Sequence, residues 1–139
     1  MARTHYPYYE PVTQALIDEV LDKHISLWNG GIGGGKEKPR DFTVEGVQAS
    51  VDFMLSRFNQ LSRPAHQVNS ARLPALVHFH TGVPVNEGEV LLAVIICGYA
   101  WTRYDCTTHC LVRLAQRAFI SAESDARRAG HFDNHTING

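Results

Sequence analysis

The residues able to do chemistry fall into two groups along the chain. His78 and His80 flank Phe79 and would share one face of a strand; Cys106 and Cys110, four apart, would share one face of a helix. If the two pairs met, their nitrogens and sulfurs could close a tetrahedral zinc site. The spacing between the pairs matches none of the compact zinc modules, and core imidazoles and thiols commonly serve packing and hydrogen bonding alone. His78, His80, Cys106 and Cys110 are therefore the metal-ligand candidates, but no metal or cofactor is assigned. The same groups suggest cysteine chemistry, with Cys106 near a helix N-terminus that would lower its thiol pKa. His109 adjoins Cys110, but neighbours on a helix point about 100° apart, so the base would have to be His66, His78 or His80. No catalytic residue is assigned.

Gly30, Gly35 and Lys36 satisfy the spacing of a phosphate-binding GxxxxGK loop. Such a loop follows a buried strand and continues with Ser or Thr to hold magnesium, whereas Glu37, Lys38 and Pro39 follow here. Consecutive glycines lose the most entropy on ordering, so the run reads as an interhelical linker. Neither a GxSxG elbow nor an HExxH helix occurs. The remaining signals belong to contact surfaces. Tyr6, Tyr8 and Tyr9 lie beside Pro7 and Pro11 in an aromatic arm, and Arg113 and Arg117 begin a modest basic stripe. Aromatic and arginine side chains dominate interface energetics.

Positioning these residues falls to elements read from hydrophobic spacing. Pro11 to Trp28 groups Leu16, Ile17, Val20, Leu21, His24, Leu27 and Trp28 at helical spacing, and Asn29–Gly30 would end that helix. A second helix begins at Asp41 or Thr43, carries Val44, Val47, Val51, Met54, Leu55, Phe58 and Leu61 on one face, and stops before Pro64. Prolines at 64, 74 and 84 restrict the next stretch to short pieces joined by turns. Val90 to Trp101 is apolar on every face, so periodicity leaves helix and strand open. The pair Asn86 and Glu89 resembles a capping box and favours helix. The alternative pairs Leu76–Val85 with Val90–Tyr99 in a hairpin, which Val94, Ile95 and Ile96 favour. A last helix, Thr108 to Ala129, capped by Asp105 or Thr107, would group Leu111, Leu114, Ala115, Ala118, Phe119 and Ala122, with Gly130 ending it.

The fold class expected is mainly α, a compact helical domain around a buried central apolar helix; the alternative is α+β, with a central β-hairpin over 76–100 packed by three helices. One domain spans 1–139, with an N-terminal arm (1–10), a Gly-rich linker (29–40) and a polar tail (131–139). The 139 residues suit one core, with 44% hydrophobic and 19% charged positions. A net charge of -1 lends no support to nucleic acid or an acidic membrane surface as partner. No apolar leader follows Met1–Pro7, and three cysteines fit reduced thiols, so a cytoplasmic location is expected. The apolar stretch of residues 90–101 is short of the roughly 20 residues that span a bilayer. The function expected is a small non-catalytic protein–protein interaction module, an adaptor or inhibitor-type accessory protein that self-associates or docks on a larger complex. Its contact residues would be Tyr6, Tyr8, Tyr9, Arg113 and Arg117. The alternative is a small His- and Cys-dependent enzyme acting on a small molecule, with or without zinc.

Overall fold

The computed structural model describes residues 11–33, 39–58, 65–104 and 107–130; the aromatic arm, the linker positions 34–38 and the polar tail lie outside that set. Its elements follow in the order α1 (Gln14–Lys23), β1 (Leu27–Trp28), β2 (Gly31–Ile32), α2 (Val44–Phe58), β3 (Ala65–Asn69), α3 (Leu73–Thr81), α4 (Glu87–Cys97), β4 (Trp101–Arg103), β5 (Cys110–Ala115) and α5 (Gln116–Arg128), with a short 3-10 turn over Ser70–Arg72. This is a mixed α/β arrangement with a helical majority.

The all-apolar stretch is helical as far as Cys97 in α4, and its last residue, Trp101, opens β4 instead; nine of the eleven α4 residues are buried, with α1, α2, α3 and β2 packed against the helix. The hairpin over 76–100 does not form: its first arm is largely α3, and its second is α4. A capping box decides that region. Asn86 Oδ1 accepts from the Glu89 backbone N–H at 2.8 Å and Glu89 Oε1 accepts from the Asn86 N–H at 3.0 Å, which pairs two donors orphaned at the helix start. Glu89, 3% exposed, is also shared with α2. Its Oε2 accepts from the Thr43 backbone at 2.7 Å and from the Thr43 hydroxyl at 3.0 Å, while Thr43 Oγ1 caps α2 by accepting from the Gly46 N–H at 2.9 Å. One carboxylate thus fastens the N-termini of α2 and α4, the helix pair in most extensive contact. At the other end of α2, the buried Tyr99 hydroxyl meets the carbonyls of Met54 and Phe58 at 3.0 and 2.7 Å.

Two expected helices are corrected. The first ends at Lys23 rather than Trp28; Leu27–Trp28 pairs antiparallel with Gly31–Ile32, so Asn29–Gly30 turns a small hairpin instead of capping a helix. That hairpin, which contains part of the expected linker, abuts α4: the Gly88 N–H donates to the Asn29 carbonyl at 3.1 Å. The last helix begins at Gln116, not Thr108, because Cys110–Ala115 is the central strand of an antiparallel sheet ordered β3-β5-β4. Cys110, Val112 and Leu114 face the core, whereas Leu111 and Arg113 face away, the two-residue period of a half-buried strand. No helix among the described residues is long and apolar enough to cross a membrane.

Candidate functional site

The histidines and thiols singled out by their types are dispersed. His78 and His80 lie on α3, not on a strand, with His78 exposed and His80 turned against α2 and α5. Cys110 is buried in β5; Cys106 lies outside the described residues, as do Tyr6, Tyr8 and Tyr9. His66 sits in β3 opposite Leu114. Among the described residues no three His, Cys, Asp or Glu side chains gather closely enough to hold a metal ion.

A different cluster forms around His109. Its Nδ1 lies 2.9 and 3.0 Å from the two carboxylate oxygens of Glu87, in the first turn of α4. An ionised carboxylate only accepts, so Nδ1 carries the proton, and in the neutral ring Nε2 is the acceptor. The buried Ser70 hydroxyl donates to the same carboxylate and accepts from the Cys110 backbone N–H at 2.9 Å. A carboxylate-oriented imidazole has the polarity of a general base or a metal ligand. Two described neighbours of the cluster that could take part in either role are committed elsewhere. Ser70 spends its proton on Glu87, and Cys110 is a poor nucleophile: burial, and then the Glu87 charge, push its pKa to about 11 against the opposing pull of Arg103. The cluster fastens the β4–β5 connection to α4, while Thr108 in the same connection accepts through its carbonyl from the Ile32 N–H at 2.8 Å and so holds the small hairpin.

The two arginines of the expected basic stripe fall on different elements. Arg113 projects from the outward face of β5 beside Gln67 of β3, and Arg117 lies in the first turn of α5; both are exposed. Ile120, one turn beyond Arg117, is 53% exposed. Neither arginine side chain makes a hydrogen bond or an ion pair to another described residue, whereas the side chains of Arg40, Arg57, Arg72, Arg103, Arg127 and Arg128 all do. Sequence reasoning missed Glu87 and Ser70, whose partners lie 22 and 40 positions away. The acidic first turn of α4 was the only local hint. Comparison with models of known protein families, with curated proteins and with solved structures found no match.

Proposed function

We propose that the chain is a non-catalytic protein–protein interaction module that self-associates through its β5–α5 surface. The observation that carries this reading is the pair of exposed arginines, Arg113 and Arg117, left without partners among the described residues beside the exposed Ile120. Arginine forms planar, bidentate pairs with carboxylates, and a desolvated arginine beside an apolar contact is a frequent centre of binding energy. A complementary surface exists on the same chain. Asp18, Glu19 and Asp22 are exposed along α1, followed by Ile25, which is 78% exposed. An acidic row with an isoleucine on one copy suits a basic pair with an isoleucine on another. The enzymatic alternative, built on His78, His80, His109 and the nearby thiols, has less support, since His78 and His80 lie on α3 and His109 in the β4–β5 connection, and the described thiol next to His109, Cys110, is buried.

Sedimentation velocity tests the reading. At about 50 mM salt the protein should sediment as a dimer or larger species and shift toward monomer at about 0.5 M, because a contact led by exposed charges is screened. Arg113→Glu with Arg117→Glu should give monomer at both, with an unchanged thermal midpoint. A wild-type protein that stays monomeric at low salt would overturn self-association, and an oligomer indifferent to the charge reversal would overturn this surface as its site.

A further inference from the structure

A hollow of about 310 Å³ opens between the C-terminal halves of α2 and α3, lined by Asp52, Phe53, Ser56, Arg57, His80 and Thr81. That is at the lower end of the roughly 300–1,000 Å³ that holds small organic ligands. The polar groups around it differ in how much bonding capacity remains. Ser56 donates to the Phe53 carbonyl at 3.1 Å, and Thr81 donates to the Val77 carbonyl at 2.6 Å while accepting from the Val83 N–H at 3.2 Å. His80 is engaged at both nitrogens. Arg57 Nη2 donates to Nδ1 at 3.0 Å, so Nε2 carries the ring proton and donates to the Ala122 carbonyl at 3.2 Å. A guanidinium cannot accept and a carbonyl cannot donate, which fixes the neutral ring in one tautomer, tilted over Phe53 with centroids 5.3 Å apart. His80 therefore positions Arg57 and offers a ligand neither charge nor base.

Two charged groups retain capacity. Asp52 accepts from Gln48 through Oδ1 at 2.9 Å, and no described residue bonds its Oδ2. Arg57 has given one N–H to His80, and its Nη1 approaches Asp125 only to 3.6 Å, leaving further donors of a five-donor group. The lining thus presents one anion, one cation and an aromatic floor, with no net charge to favour either a simple cation or a simple anion.

We infer that this hollow binds a small zwitterion, an α-amino acid with a short apolar side chain. Its carboxylate pairs with Arg57, its ammonium with Asp52, and its side chain lies toward Phe53. Ligand-observed NMR and calorimetry on the full chain, with L-valine as probe, test this. Saturable binding is expected. N-acetyl-L-valine, which lacks the ammonium, and L-valinamide, which lacks the carboxylate, should each bind about tenfold or more weaker, the loss that follows removal of one charge-assisted hydrogen bond. Asp52→Asn should weaken L-valine by a similar factor. Arg57→Gln also releases His80 and Asp125, so the blocked analogues, which leave the protein unaltered, are decisive. Absence of saturable L-valine binding, or equal binding of all three probes, would overturn the proposal.

Discussion

A thiol beside an imidazole in sequence suggests a nucleophile and its base, and at Cys110 burial decides otherwise. The thiol points into the core from β5, and its pKa of about 11 stands against an ordinary 9.0. At neutral pH the thiolate fraction is therefore about 100-fold below that of an ordinary cysteine. Carbamidomethylation of Cys110, followed by mass spectrometry, should be slower than that of a free thiol by at least about that factor. Stability carries the same signature. Because the folded pKa is raised, the unfolded chain loses the proton first; the contribution is intact below about pH 9 and is lost as pH rises toward 11. Two units correspond to about 3 kcal/mol, and Cys110→Ala should flatten the fall in urea midpoint between about pH 8 and about pH 10.5 relative to wild type. Ser70→Ala, by removing the acceptor of the buried Cys110 N–H and the donor to Glu87, should cost about 1–3 kcal/mol in the same assay. His109 and Cys110 were legible by type. Their partners were not, since nothing local in a sequence announces a bond across 22 or 40 residues.

Element boundaries depended on which period a short apolar run obeys. Leu111, Leu114, Ala115 and Ala118 fit a helical stripe, yet Cys110–Ala115 alternates about the sheet because β3 and β4 flank it and supply hydrogen bonds on both edges. Tertiary pairing overrode a pattern six residues long. The α4 capping box was legible, because Asn86 and Glu89 are three apart; the second use of Glu89, on Thr43, was not. That second use makes a prediction opposite to helix propensity. In an ordinary helix Gly→Ala gains up to about 1 kcal/mol. At Gly46 of α2 a Cβ would stand 2.6 Å from both Glu89 carboxylate oxygens, which Thr43 and Asn86 hold in place. Gly46→Ala should therefore destabilise the protein, by about 1–3 kcal/mol in urea denaturation. Gly88→Ala should be harsher, since its Cβ would lie 2.3 Å from the Trp28 carbonyl oxygen, and backbone of the β1–β2 hairpin yields less readily than a side chain.

At the scale of the molecule, α4 is the centre on which α2, α3, α1 and the small hairpin converge, as an element apolar on every face requires. With His80, His109, Cys97 and Cys110 engaged or buried, the surface features on which the proposed contact rests are charged: acidic along α1, basic at Arg113 and Arg117. The central claim, that these two surfaces meet between copies, is tested most directly by exchanging their signs. One variant carries Arg113→Glu with Arg117→Glu; the other carries Asp18→Arg with Asp22→Arg. Each alone opposes like charges and should sediment as monomer at low salt. Mixed in equal amounts, they restore both acidic-to-basic pairings, since one variant is acidic and the other basic at the two surfaces, and should associate in one-to-one stoichiometry and dissociate as salt rises. A mixture that remains two monomers, while the wild-type protein associates, would contradict the account.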